Sequence, residues 1–161
     1  MKYIVTSALP YANGKLHVGH VAGAYLPADI FVRFLRLQGE DVIYICGTDE
    51  HGTPISISAD REGISPQEVV TRYHNSIKAA FDGIGIEFDN FSGTARKPHH
   101  ELASDFFIQL YENGHIKPKS TLQFYCDHDK RYLPDRYVEG ICPRCGTEGA
   151  RGDQCDKCGQ I

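Results

Sequence analysis

Two near-copies of one short pattern, Cys142-Pro-Arg-Cys145-Gly and Cys155-Asp-Lys-Cys158-Gly, separated by nine residues, constrain this chain more than any other feature. A CxxC turn aims two sulphurs at one point. Gly146 and Gly159 can take the positive φ that closes each turn, so two halves together make a tetrahedral four-thiolate site. The default occupant of such a set is Zn2+, one per chain, held by Cys142, Cys145, Cys155 and Cys158. With four protein ligands no coordination position stays open, which makes the metal structural. Four thiolates around Zn2+ leave a local charge of about −2, and Arg144, Arg151 and Lys157 lie near enough in sequence to offset it. Disulfides or a redox dithiol are the competing readings. The duplicated spacing and the lack of a secretion signal weigh against both.

Ahead of that tail the chain reads as β-α-β. Tyr3-Ile4-Val5-Thr6 is strand-forming and is followed by a Pro/Asn/Gly loop over residues 10–14. From about Gly19, Val21, Ala24, Ala28, Phe31 and Leu35 recur at helical spacing. Asp29 and Arg33 form an i,i+4 pair, and Gly39 suits the residue after the C-cap. The run DVIYIC over residues 41–46 predicts a strand covered on both faces. Two more helices are expected, the second well marked by Ser65 at the N-cap, Pro66 at N1 and Glu68 completing a capping box, with a span of 66–80. A loop-rich stretch containing Ile86, Phe88 and Phe91 precedes another helix from about Pro98 to Asn113, which Gly114 closes. Strands alternating with helices imply an α/β fold with an open sheet. Beyond Gly114 short strands are expected over 121–127 and 131–133, then the Gly/Cys/Pro-rich tail, which cannot hold a hydrophobic core of its own.

The 161 residues are 41% hydrophobic and 24% charged, enough for one domain with a small appendage. No apolar run approaches the ~20 residues that span a bilayer, and the start MKYIVTSALPYANG lacks the layout of a signal peptide. A cytoplasmic location with no membrane partner is therefore expected. A formal net charge of −4 gives no basic footprint for nucleic acid.

The second chemical signal is His17-Val-Gly-His20, at the junction of the first loop and first helix. A helix N-terminus offers unpaired N–H groups and a positive dipole end to a phosphate. Two histidines three apart can add donors to its oxygens, while Gly19 lets a nucleotide approach the backbone. By itself HxGH is a weak pattern, and two solvated surface histidines are the competing reading. Neither GxGxxG after the first strand nor GxxxxGK[ST] anywhere is present.

His-Val-Gly-His resembles the His-Ile-Gly-His signature of class I aminoacyl-tRNA synthetases, with Val18 in place of Ile. Ala8-Leu-Pro-Tyr11-Ala-Asn-Gly14, Gly47-Thr-Asp49-Glu-His51-Gly-Thr-Pro54 and Leu133-Pro-Asp-Arg136 before a four-cysteine knuckle are similar to segments of the methionyl-tRNA synthetases, in the same order. That resemblance implies a Rossmann-like, HIGH-type nucleotide-binding half-domain over residues 1–115, and over 116–161 the start of a connective insertion carrying the zinc knuckle. It implies activation of L-methionine by ATP with Mg2+, then transfer to tRNA(Met), whose main contacts lie outside these residues. His17 and His20 would be catalytic. Tyr11, His17, Gly19 and His20 would bind ATP. Ala8, Leu9, Tyr11 and Asp49 would bind methionine, with the Asp49 carboxylate on its α-ammonium group. Without the family, Asp49 reads as a helix cap or a loop carboxylate.

The remaining polar residues carry milder expectations. Cys46 reads as a packed core thiol, and Cys126-Asp-His-Asp129 has ligand-type residues without a partner pair. His51 is a candidate for the nucleotide. Asp135 and Arg136 are expected to tie the insertion to the core by an ion pair. His74, His99, His100 and His115 are expected to be solvated, and Phe106-Phe107 and Phe124-Tyr125 to be core. The family's second signature, Lys-Met-Ser-Lys-Ser, is absent from the 161 residues, and Trp is absent as well. The expectation is a shortened polypeptide, a proteolytic fragment or one piece of a divided enzyme, inactive alone. The rival readings are a stand-alone HxGH nucleotidyltransferase and a non-catalytic zinc-binding module.

Overall fold

In the computed structural model, which describes residues 1–152 and 154–160, the chain divides into two compact units, Met1–Leu110 and Tyr111–Ile161. The first is built on a parallel sheet of three strands in the order β1 (Lys2–Thr6), β2 (Asp41–Thr48) and β3 (Asn90–Gly93). Ile4 pairs with Ile43 and Thr6 with Ile45, while Cys46 pairs with Phe91. Strand β3 falls in the stretch expected to be loop. Four residues ending Phe-Ser-Gly are too short and too polar to show alternation.

Between β1 and β2 the chain is helical from Val18 to Leu37 in three parts: α1 (Val18–His20), a π turn (Val21–Tyr25) and α2 (Leu26–Leu37). The wide π turn has side-chain partners from the sheet. Tyr44 Oη, in a side chain with no exposure, donates to the Tyr25 carbonyl at 3.3 Å. Ser7 Oγ reaches the Ala24 carbonyl at 3.3 Å, and the two hydroxyls meet at 2.7 Å. Hydroxyls from β2 and the end of β1 thus hold the helix to the sheet where its own ladder changes register. Gly39 takes a φ of 76° after the Gln38 C-cap, as expected. The Asp29–Arg33 pair forms at 2.6 Å, and Asp29 also accepts from the Glu87 N–H at 3.4 Å.

The second crossover carries α3 (Thr53–Glu62) and α4 (Pro66–Gly83), with the Ser65/Glu68 capping box in place. Tyr25 and Val32 from the first crossover, Tyr44 from the sheet, and Ile77, Phe81 and Ile86 from the second form the main core. Val5, Val42, Cys46, Phe88 and Phe91 pack against it. A smaller cluster of Ala12, Ile55, Ala59, Val69 and Val70 anchors the first loop to α3 and α4.

Only one sheet face is covered within the first unit. Val42, Tyr44 and Cys46 turn toward the helices, whereas Ile4, Ile43 and Ile45 are 73%, 48% and 36% exposed. The expectation of a strand covered on both faces is corrected accordingly. A continuous apolar run does not by itself say which faces are filled. Likewise α5 (Lys97–Glu112) buries no residue, so Phe106 and Phe107 are exposed rather than core. Among the described residues no helix is long and apolar enough to cross a membrane.

The second unit contains the two-residue pairs β4 (Tyr125–Cys126) with β5 (Arg131–Tyr132) and β6 (Glu139–Gly140) with β7 (Ala150–Arg151), and a 3-10 turn at Asp135–Tyr137. Phe124 and Tyr125, expected as core, are 66% and 46% exposed. Cys142 and Cys155 are its buried residues among those described. Asp135 acts through its carbonyl, which accepts from the Val138 and Gly152 N–H groups at 3.1 and 3.3 Å.

Candidate active site and metal centre

All three strands run in one direction, so their carboxyl ends release three loops at one sheet edge, where open α/β sheets bind ligands. The first loop carries Ala8, Leu9 and Tyr11, the second Asp49, Glu50 and His51, the third Thr94 to Arg96. Tyr11 and Asp49 extend the β1–β2 pairing beyond the strands. The Asp49 N–H donates to the Pro10 carbonyl and the Ala12 N–H to the Asp49 carbonyl, both at 2.8 Å. Leu9 and Tyr11 are 49% and 41% exposed, and Ala8 lies beside the Cys46 thiol, whose Sγ is 3.8 Å from the Ala8 carbonyl. Burial pushes the Cys46 thiol above its ordinary range, in keeping with a packed thiol. Asp49 is half-buried, and its Oδ1 accepts from the His51 N–H at 3.4 Å.

His17 and His20 cap their own helix. The His20 N–H donates to His17 Nδ1 at 3.3 Å and the His17 N–H to His20 Nδ1 at 3.4 Å, a reciprocal box made by imidazoles instead of the usual hydroxyl and carboxylate. The rings stack with centroids 3.6 Å apart. A neutral imidazole that accepts at Nδ1 carries its proton on Nε2. Both exposed rings therefore present Nε2–H donors away from the backbone. A Cβ at Gly19 would lie 3.0 Å from the His17 ring, so glycine there also admits the stacked pair. His20 and Tyr11 line one depression of ≈ 140 Å³ together with Pro10, Asn13, Gly14, Lys15 and Leu16.

Two neighbours of this edge were not legible in the sequence. Glu50 is 4% exposed. Its Oε1 accepts from Thr48 Oγ1 at 2.8 Å and Arg96 Nη2 at 3.3 Å, and its Oε2 from the Ala95 N–H at 2.8 Å. Nothing in the spacing separates it from a solvated loop carboxylate. His74, expected to be solvated, has a side chain only 12% exposed. Its Nδ1 lies 2.7 Å from Thr48 Oγ1 and 3.4 Å from Glu50 Oε1. Burial, and next the positive charge of Arg96, hold His74 below the ordinary imidazole value. The signal existed: Val70, His74, Ile77 and Phe81 share one helical face. His100 is exposed as expected but meets His51, Nε2 to Nε2, at 3.1 Å. His99 and His115 are exposed.

In the second unit the sulphurs of Cys142, Cys145, Cys155 and Cys158 all lie within 4.8 Å of one another, and the thiols are free. Cys142 to Cys158 and Cys145 to Cys155 are each 3.7 Å apart, too far for a disulfide. A tetrahedron with Zn–S of about 2.3 Å has edges of about 3.8 Å, so the donor set fits zinc. The halves match locally. The Gly146 N–H donates to the Cys142 carbonyl and the Gly159 N–H to the Cys155 carbonyl, with φ of 70° and 69° at the two glycines. Crowding splits the thiols. Hydrogen bonds from Thr147 bring Cys145 down to about 6. A hydrogen bond at Gln160 favours the Cys158 thiolate, yet desolvation and the adjacent sulphurs outweigh it and push that thiol up to about 12. Cys126 Sγ faces Asp129 Oδ2 at 3.5 Å.

Comparison with known proteins bears on residues 3–161, which match the family model described as tRNA synthetases class I (M). The chain is 60% identical over 160 residues to the methionine-tRNA ligase of Pyrococcus horikoshii, covering 99% of this chain and 22% of that one. It is 59% identical over 155 residues to the enzyme of the same name from Bacteroides fragilis, covering 96% and 23%. Among solved structures it is similar to Mycobacterium tuberculosis methionyl-tRNA synthetase bound by methionyl-adenylate, with a TM-score of 0.77, 27% identity, and coverage of 99% of this chain and 30% of that one. The chain thus spans under a quarter of the length of these two curated relatives.

Proposed function

The chain belongs to the class I tRNA synthetases (M), and on that premise we propose that it is the N-terminal part of the catalytic domain of a methionine-tRNA ligase. Residues 1–115 form the first half of the Rossmann-like domain, and 116–161 begin the connective insertion. The enzyme acts in the cytoplasm. It joins L-methionine to ATP, with Mg2+, as methionyl-adenylate and passes the methionyl group to tRNA(Met).

A carboxylate oxygen of methionine attacks the α-phosphorus, and the bond to pyrophosphate breaks. The protein's part is positioning and charge stabilisation. His17 and His20 direct their Nε2–H groups at phosphate oxygens on which charge builds, with Gly19 under the nucleotide and Tyr11 beside it. Asp49 receives the α-ammonium group through its carboxylate, and Ala8, Leu9 and Tyr11 line the methionine side. Zinc on Cys142, Cys145, Cys155 and Cys158 holds the knuckle and takes no part in the chemistry.

The observation that carries this reading is the place of Tyr11. Its backbone pairs with Asp49, and its side chain lines the same depression as His20. Tyr11 thereby links the loop that bears the amino-acid ligand to the loop that leads into the helix bearing the phosphate donors. The test is methionine-dependent pyrophosphate exchange by the full-length polypeptide that carries these residues. His20→Ala should slow exchange by about 10²-fold, as loss of a preorganised donor does, with little change in KM for methionine. Unchanged exchange in His20→Ala, or equal exchange with unrelated amino acids, would defeat it.

A further inference from the structure

We propose that Glu50 is a positioning residue for methionine recognition: its buried carboxylate locks the loop bearing Asp49 to the loop that follows β3. This inference rests on the reading of Asp49 as the ammonium ligand. The argument begins with what a carboxylate does at this depth. At 4% exposure an ionised group is retained only where donors replace its water. Glu50 is supplied by Thr48 from β2, by the Ala95 N–H and by the Arg96 guanidinium, so its two oxygens join consecutive loops of the sheet edge.

The clasp is reciprocal. The Glu50 N–H donates to Thr94 Oγ1 at 2.8 Å, and the Thr94 N–H to the Thr48 carbonyl at 3.1 Å. Thr48 Oγ1 spends its proton on Glu50, so it accepts from His74, which makes His74 a donor at Nδ1. Gly93 completes the fit, since a Cβ there would overlap the Glu50 carboxylate. Asp49 is one peptide bond away, with its own N–H and carbonyl held by the first loop. Its backbone is thus fixed on one side by residues 10–12 and on the other by Glu50. Among the described residues no cation pairs with Asp49, whereas Arg96 is drawn to Glu50 at 3.3 Å. The Arg96 guanidinium is thus engaged by Glu50, while the Asp49 carboxylate has no cationic partner among the described residues and is open to an incoming ammonium group.

A role confined to stability would weaken all substrates alike or none. A positioning role separates them. Three variants of the full-length polypeptide disturb the clasp differently. Glu50→Gln keeps an acceptor for Thr48 but faces the Ala95 N–H with another donor. Gly93→Ala displaces the carboxylate without removing charge. Arg96→Gln alters only a side chain already 42% exposed, and so keeps the test open if a buried variant fails to fold. In pyrophosphate exchange, the folded buried variants should raise KM for methionine by about 10-fold or more, the effect of misplacing a ligand by a fraction of an ångström. Arg96→Gln should raise it by about 3-fold, while KM for ATP stays within about 2-fold in all three. Unchanged KM for methionine in the variants that fold, or equal rises for methionine and ATP, would overturn the proposal. Asp49→Asn, measured alongside, tests the underlying reading. If it leaves KM for methionine unchanged, the ammonium assignment fails. If it raises KM and the clasp variants do not, only the role of Glu50 fails.

Discussion

Replacing Cys145 by Ala should unfold the tail and leave the sheet intact. Among the described residues of the second unit only Cys142 and Cys155 are buried, at 3% and 4% exposure. Both belong to the four-sulphur set, and among the described residues of this unit no other side chain is buried, so apolar burial contributes little. Zinc held by the four thiolates would be worth on the order of 10 kcal/mol, and would therefore dominate. Mutation removes one corner of a tetrahedron whose recorded sulphur separations, 3.7 Å each, match a filled site. Metal analysis of the unmutated chain should give about one zinc per polypeptide. Hydrogen exchange then reads the outcome at named amides. Gly146 and Gly159, whose N–H groups bond to the Cys142 and Cys155 carbonyls at 2.9 and 2.8 Å, should lose protection in Cys145→Ala or after chelation. Amides of β2 should keep theirs, since Tyr44, Phe81 and Ile77 pack without any metal. A metal-free chain with protected Gly146 and Gly159 would refute the reasoning, as would loss of protection in β2.

Tyr44→Phe deletes the hydroxyl that bonds the Tyr25 carbonyl and Ser7 Oγ, and should cost about 0.5–1.5 kcal/mol in denaturant unfolding, the net worth of a buried hydrogen bond; no loss would mean that the π turn does not need it. His74 is held below its ordinary value near 6.5, so the unfolded chain takes up its proton first. The stability this gives is complete above about pH 6.5 and is lost as pH falls through the folded value. The stability advantage of the natural chain over His74→Gln should shrink between pH 7 and 5, and a constant difference would contradict that account. The 161-residue chain by itself should give no measurable pyrophosphate exchange, because the lysines of the second signature are not among its residues and each missing charge contact costs about 10²–10³ in rate; robust exchange would revive the small nucleotidyltransferase reading.

Features written in local chemistry were legible. Capping pairs such as Ser65/Glu68, the closing Gly39 and the doubled CxxC depend on residues a few positions apart, and their geometry follows from side-chain type. The reciprocal contact of His17 and His20 is of the same local kind, made across three positions. What depends on a distant partner was hidden. Strand β3 exists because Asn90 to Gly93 find β2, and no alternation within four residues announces it. Glu50 is buried because Thr48, Ala95 and Arg96 converge on it from two loops. Phe106 and Phe107 misled in the other direction. Their apolar character is real, but no surface within the described unit covers α5.

The mutual cap of His17 and His20 narrows what evolution or design can place at those positions. Each ring accepts a backbone N–H on one nitrogen and offers a proton on the other, so a replacement must be an acceptor at its near end and a donor at its far end. Lysine and arginine supply only donors, and an ionised carboxylate only acceptors. Serine has both functions on one short-reaching atom. Apart from imidazole, the carboxamides of asparagine and glutamine alone separate the two functions. With the proposed role of these rings as phosphate donors, the alphabet tolerated at this helix start would be restricted twice, by folding and by chemistry acting on the same two side chains, and a substitution that restores one of the two functions would not restore the other.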